Sequence, residues 1–260
     1  MSQPQFASPK DQAAKRPARR KTELLPDGAL LFEDEFTGGA IDTTVITCTG
    51  WLLELHELTS GRVLFFTRSR KVSPATNCFG ILYPPFTMTH LCFENPRGRV
   101  SGIAASEPLP PEFARTPIVF DTTCTAPPVS VSSACELLRG GANREPVDVN
   151  PTASLLSVKA KRLIDTNYLD YPSIARIAER LGVSHAHLSR QFRTDFSMSP
   201  SEYLRRLRVA DAPLRLARGE AIIKVSHDVG YNDLSRFYKQ FRKTTNTSPG
   251  VCKTLLGSQR

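Results

Sequence analysis

Two hydrophobic rhythms divide the chain. Between about residues 28 and 122 the apolar positions come in short runs, at 45–49, 51–56, 62–67, 79–83, 90–93 and 100–103. Gly50, the tripeptide Thr59-Ser60-Gly61, Pro84-Pro85 and Asn95-Pro96-Arg97-Gly98 separate them, and these are residues that turn a chain. Short runs at this spacing predict a small all-β sandwich or barrel, with a core around Trp51, Phe65, Phe66, Phe86 and Phe93. From about residue 153 the period lengthens to that of a helix. Ile174, Ile177, Ala178 and Leu181 fall on one face, and so do Leu188 and Phe192 four residues apart. The expected organisation is therefore an α+β chain of two domains. It comprises an unstructured basic tail over 1–25, a β-rich domain over 26–125, a linker over 126–152 and an all-α domain over 153–260. The linker is rich in Pro, Ser and Thr and offers one short helical candidate at 132–138.

The helical part says one thing twice. In the first copy Ser173 is placed to cap a helix, Gly182 to turn the chain in the left-handed region, and Ser184 to cap the next helix. Leu188 and Phe192 of that second helix face inward, which leaves Ala186, His187, Ser189, Arg190, Arg193 and Thr194 on the opposite face. In the second copy Val225 and Val229 pack, Gly230 turns the chain, and Tyr231 fills the space behind it. Asn232 or Asp233 then caps a helix seated by Phe237 and Phe241, with Leu234, Ser235, Arg236, Tyr238 and Lys239 outward. Gly182 and Gly230 are 48 residues apart, and Ser199-Pro200 and Ser248-Pro249 are 49 apart. An apolar stripe that seats a helix, backed by short or basic side chains, is the form of a helix that enters a major groove. Ala186, His187, Ser189, Arg190 and Arg193 are the candidate DNA contacts of the first copy. Leu234, Ser235, Arg236, Tyr238 and Lys239 are those of the second. Arg190 is the candidate base reader, because a guanidinium bonds guanine O6 and N7 together, and Arg193 is a phosphate contact.

Charge agrees with this placement. The chain carries +9 overall, but residues 151–260 hold 19 Lys and Arg against 9 Asp and Glu. Residues 22–150 hold 9 against 15, and the first 21 residues hold 6 against 1. The basic excess lies with the repeated pattern, where a polyanion would be met.

The tandem pattern resembles the AraC/XylS family of bacterial transcription regulators over about residues 153–256. The residues that carry the likeness are Ile177-Ala178 with Gly182, Leu188 with Phe192, and Ser199-Pro200 with Tyr203. Arg208 with Ala212, and Val229-Gly230-Tyr231 with Phe237, Phe241 and Ser248-Pro249, complete it. The resemblance implies two helix-turn-helix units joined by one long helix, here from residue 201 to about 217. At ~1.5 Å per residue that helix spans about 25 Å, towards the ~34 Å of one DNA turn. It further implies a cytoplasmic activator of promoters that contacts RNA polymerase, a homodimer in some members, and a front domain that resembles a small cupin-like sensor. Four positions depart from the family pattern. Pro213 falls inside the linking helix, where it removes a hydrogen bond, and Ser226 replaces a small Ala. Ser197 and Asn246 stand where the family has Gly.

Other chemistry is sparse. The six cysteines, Cys48, Cys78, Cys92, Cys124, Cys135 and Cys252, form no C-x-x-C pair. His185 and His187 lie two residues apart and point away from each other on a helix. His56 and His90 lack the spacing of a metal-binding cupin. No nucleophile triad, nucleotide loop or paired carboxylate stands out, so neither a cofactor nor a metal is expected, nor a signal peptide or membrane span. Within the acidic front half Arg62, Arg68, Arg70 and Lys71 form a basic group suited to an anionic effector. The alternative function is an enzyme, of cupin or DNA-repair type, fused to the DNA-binding part. None of the cysteines sits in the Pro-Cys-His-Arg setting that the repair version requires.

Overall fold

A computed structural model describes residues 20–66, 71–123, 126–147, 152–170, 173–245 and 247–257. The β-rich half is one antiparallel sheet of nine strands: β1 (Arg20–Leu24), β2 (Leu30–Thr37), β3 (Ala40–Ile46), β4 (Trp51–Phe66), β5 (Lys71–Val72), β6 (Cys78–Tyr83), β7 (Met88–Ala105), β8 (Ile118–Asp121) and β9 (Ala142–Pro146). Their order is β1-β2-β7-β4-β6-β8-β9, with β3 also paired to β7 and β5 to β4.

The sheet turns on a single ribbon, β4 against β7. The sequence pattern gives four short strands here, because Thr59-Ser60-Gly61 and Asn95-Pro96-Arg97-Gly98 read as turns. The structure instead runs each strand straight through, with register shifts between Leu58 and Ser60 and between Ser60 and Arg62. The two turn-like segments lie opposite each other, so each becomes a bulge that bends the ribbon instead of ending it. Gly61 and Gly98 make the bend sterically feasible. Both have positive φ, and a Cβ on either would lie 2.3 Å from the Asn95 carbonyl oxygen or 2.0 Å from that of Glu57. The bend gives two apolar layers. One holds Leu53, Leu55, Leu82, Ile103 and Phe120 and is covered by Ala134 and Leu138 of α1 (Val131–Gly140). The other is built from Leu58, Val63, Phe65, Phe79, Ile81 and Phe93. Within it His56 is sandwiched between Phe36 and Phe79 and lies 3.3 Å from Glu54, which also accepts from the Tyr83 hydroxyl.

Several boundaries shift from the sequence expectation. Arg20–Leu24, at the end of the expected tail, pairs with β2, because Leu24 has apolar surface of the helical half to cover; residues 1–19 lie outside the described residues. The expected linker supplies α1 and β9, which cover the sheet and extend it. Among the expected core residues Trp51, Phe65 and Phe93 are buried in the sheet half. Phe86 instead takes a left-handed backbone at the edge of that half, with its ring 6.1 Å from that of Tyr168.

The helical half is built from α2 (Leu155–Asn167), α3 (Ile174–Arg180), α4 (His185–Phe196), α5 (Pro200–Ala210), α6 (Ala212–Ala217), α7 (Ile222–Asp228), α8 (Leu234–Thr245) and α9 (Pro249–Gly257). It has two cores. Ile177, Ala178, Leu188, Phe192, Tyr203 and Leu207 close the first, around α3 and α4. Leu214, Val225, Val229, Tyr231, Phe237 and Phe241 close the second, around α7 and α8. The sheet half reaches into both, with Cys48 and Met88 in the first and Leu30 in the second. Among the described residues no helix is long and apolar enough to cross a membrane.

Candidate nucleic-acid interface

Each outward helix is set by the same local devices. In the first pair Gly182 turns at φ +70° with no atom within 4 Å of where a Cβ would be, so it is there for its conformation, not for close packing. The Ser184 hydroxyl then accepts from the His187 amide at 3.1 Å and starts α4. Ser173 occupies the cap position of α3 in an extended backbone, but its side chain makes no capping bond, so α3 is held by the burial of Ile174, Ile177 and Ala178. The helix α4 ends where Ser197 takes φ +57° and donates its amide to the Arg193 carbonyl. Ser is an uncommon residue there, and the buried Phe196 and Met198 on either side hold it in place.

In the second pair Gly230 turns at φ +86°, and Asp233, not Asn232, caps α8. Its carboxylate accepts from the Ser235 amide at 2.8 Å and the Arg236 amide at 3.4 Å. Ser226, where a smaller residue was expected, is buried and directs its hydroxyl at the Tyr231 carbonyl at 3.5 Å. Asn246 lies outside the described residues.

Burial of the seating residues decides which faces remain outward. Leu188, Phe192, Phe237 and Phe241 are fully enclosed, and the Phe192 ring packs edge-on to Phe196 at 4.7 Å. Ala186, His187, Arg190 and Arg193 are exposed and Ser189 is half-buried on α4. On α8 Leu234, Ser235, Arg236 and Lys239 are exposed, while Tyr238 is half-buried with its ring edge-on to Phe237. The sequence candidates thus lie together on two exposed helix faces.

Their electrostatic settings differ. The Arg190 and Arg193 side chains make no ion pair among the described residues, so both guanidiniums are open to a new anion. Arg236 already faces Asp233 at 3.4 Å. Arg242 and Lys243, which the sequence reading passed over, also emerge from the exposed side of α8, and Lys243 lies 3.7 Å from Glu202. Their position in the last helical turn, beyond the repeated motif, hid them.

The second pair is tied to α6 by charge. Arg215 donates to Glu220 at 2.8 and 2.6 Å and also to Asp228, while Lys224 bonds both carboxylates at 2.8 and 3.2 Å. The Arg215 hydrogen bond holds the Glu220 carboxyl down at about 2, and the same cation lowers Asp228. In the first pair the corresponding work is done by Asp165, which accepts from Lys161 at 2.7 Å and from the Tyr203 hydroxyl at 2.6 Å. Burial pushes its carboxyl up despite both partners.

Of the basic group in the front half, Arg62 is committed to Glu94 at 2.6 Å. Lys71 lies on the two-residue strand β5, while Arg68 and Arg70 lie outside the described residues.

These elements coincide with a known domain. Residues 177–254, from within α3 to within α9, match the family model described as a helix-turn-helix domain. The resemblance of this part of the chain to AraC-type helix-turn-helix domains is thus supported. Over 87 residues the chain is 31% identical to the HTH-type transcriptional activator RhaS of Pectobacterium carotovorum, a stretch that covers 33% of this chain and 31% of that protein. Over 81 residues it is 32% identical to the lactose operon transcription activator of Staphylococcus xylosus, covering 31% of this chain and 29% of that protein. The chain therefore matches about a third of the length of these relatives. Among solved structures, unsaturated fatty acid bound ToxT from Vibrio cholerae aligns over 88% of this chain and 96% of its own, with a TM-score of 0.49 and 8% identity.

Proposed function

We propose that this chain is a sequence-specific regulator of transcription that binds duplex promoter DNA through two helix-turn-helix units, α3–α4 and α7–α8. The observation that carries the reading is the pair of outward faces on α4 and α8. Each is seated by two enclosed apolar residues at i and i+4, and each bears exposed Arg or Lys beside short side chains. Arg190 reads a base, Ala186 and Ser189 allow close approach, and His187 and Arg193 flank them at the backbone. On α8 Arg236 and Lys239 serve bases or phosphates, with Leu234, Ser235 and Tyr238 beside them. The relatives named over this stretch are a transcriptional activator and a lactose operon transcription activator, which supports activation; contact with RNA polymerase belongs to the same proposal.

The front half, read as a small cupin-like barrel, is the effector-sensing or dimer-forming part. An effector that binds one arrangement of the two halves more tightly shifts the DNA-competent fraction by its differential affinity.

The test is selection of duplexes from a random library with the full chain, followed by footprinting and a salt titration. Two protected segments about one helical turn apart on one face are expected. If about five phosphates are neutralised, the slope of log K against log salt is about −4 to −5. A salt-steep affinity without any enriched sequence would reduce the reading to general polyanion binding.

A further inference from the structure

The two readers are joined at a broken helix. The family resemblance implies one helix from 201 to about 217, with Pro213 inside it. The structure has α5 ending at Ala210 and α6 beginning at Ala212, with Asp211 between them and Pro213 in the first turn of α6. Pro213 has no N–H to give to the turn before it, so no continuous helix runs through the joint. The angle between the units rests on side-chain packing, with Val209 of α5 in the second core and the Tyr231 hydroxyl on the Arg205 carbonyl, and on whatever holds the joint itself. DNA requires that angle to be held, because two helices reach successive grooves only at a fixed separation and phase.

The front half grips the joint. The Asp211 carboxylate accepts from the Thr49 amide at 3.1 Å, the Thr49 hydroxyl at 2.5 Å and the Gly50 amide at 3.4 Å. These donors are rigid, since the turn is wedged against β7. A Cβ on Gly50 would lie 2.7 Å from the Ala105 carbonyl oxygen.

The chain is also tied on both sides of the joint. On α5 Arg206 donates to the Thr44 carbonyl at 2.7 Å. At the end of α6 Arg218 donates to the Gly28 carbonyl at 2.9 Å and the Ser106 hydroxyl at 2.8 Å, with Glu107 at 3.5 Å. Three anchors on one sheet domain, one before, one at and one after the break, add to that packing where the helix is interrupted.

We infer that Asp211 is a positioning residue for DNA recognition: gripped by the Thr49–Gly50 turn, it fixes the aim of the second reader relative to the first. The inference rests on the DNA-reading function proposed above. It makes the sheet half a splint as well as a sensor, and makes the Asp211 contact the place where a change in that half is passed to DNA.

The experiment uses the full chain, the duplex site selected from the random library, and derivatives of that site with one, two or five base pairs added between the half-sites. The parent chain is expected to protect both half-sites with one sharp spacing optimum. Asp211→Ala is expected to keep the first half-site, lose protection of the second, respond weakly to spacing, and bind the full site about tenfold less tightly as bivalency is lost. Asp211→Asn, which keeps one oxygen acceptor, is expected to lie between them. Thr49→Val removes one donor from the other side of the contact, far from the reading faces, and loosens the spacing preference in the same direction, so it decides the matter should Asp211→Ala fail to fold. A folded Asp211→Ala chain with the parent's spacing optimum overturns the assignment, as does one that loses both half-sites equally. A parent chain that enriches no duplex overturns the DNA reading itself.

Discussion

Replacing Arg190 with alanine tests the first reader at its most informative atom. The side chain leaves the exposed face of α4, one residue after Ser189 and two before the enclosed Phe192, so truncation removes a contact without disturbing the seat. A bidentate guanidinium–guanine contact contributes about 1–3 kcal/mol of discrimination, which is roughly 5- to 150-fold in Kd. Little of this is offset, because Arg190 gives up no ion pair in order to bind. Arg236 on α8 is different. It faces Asp233 across 3.4 Å, an exposed pair that contributes at most about 1 kcal/mol, and DNA must replace that partner. Arg190→Ala should therefore cost more than Arg236→Ala. Arg193→Ala should weaken all sequences alike and make the salt slope shallower by about one phosphate. The assay is titration of each variant against the selected duplex and against a scrambled duplex of the same length, at three salt concentrations. An Arg190→Ala variant that loses equal affinity for both duplexes refutes base reading at this position.

Two further outcomes follow from packing and charge. Leu30 belongs to the sheet half yet lies in the core of the second helix pair, so Leu30→Ala should destabilise the chain by about 2–5 kcal/mol, seen as a lower denaturant midpoint with the early loss falling in the second pair. A loss below about 1 kcal/mol would mean that the two halves do not share that core. The Glu220 carboxyl is held at about 2, below its ordinary 4.5, by Arg215. A depressed carboxyl contributes stability that is present above about 4.5 and lost as pH falls towards 2. The stability difference between the parent and Arg215→Met should accordingly be constant above about pH 5.5 and shrink between 4.5 and 2, and a difference that stays constant down to pH 2 would assign the network no role.

The helical half was legible because its signals are local. A glycine at a left-handed turn, a serine or aspartate at a cap and two apolar residues four apart act within one or two turns of helix. The expected inward and outward faces of α4 and α8 accordingly agree with the burial in the structure. Ser173 departs because a cap residue and a capping bond are different things, and burial of Ile174 and Ile177 suffices to hold α3.

The sheet half was legible in class but not in outline. Thr59-Ser60-Gly61 and Asn95-Pro96-Arg97-Gly98 carry turn chemistry whether they end a strand or bulge within it, and only the opposing strand decides which. Leu24 and Leu30 give no sign in the sequence that they cover a helical core that begins at Val209.

By itself, then, the sequence determined the two outward faces and their charge, because helix periodicity and capping are properties of neighbouring residues. Pro213 likewise marked where the linking helix lacks a hydrogen bond. Whether that break leaves the second reader loose was decided only by the tertiary structure. The contacts that hold it, Asp211 to Thr49 and Gly50, Arg206 to Thr44, and Arg218 to Gly28, join residues more than 160 positions apart. Hydrogen bonds of that range follow from how two folded surfaces meet, which no local pattern records.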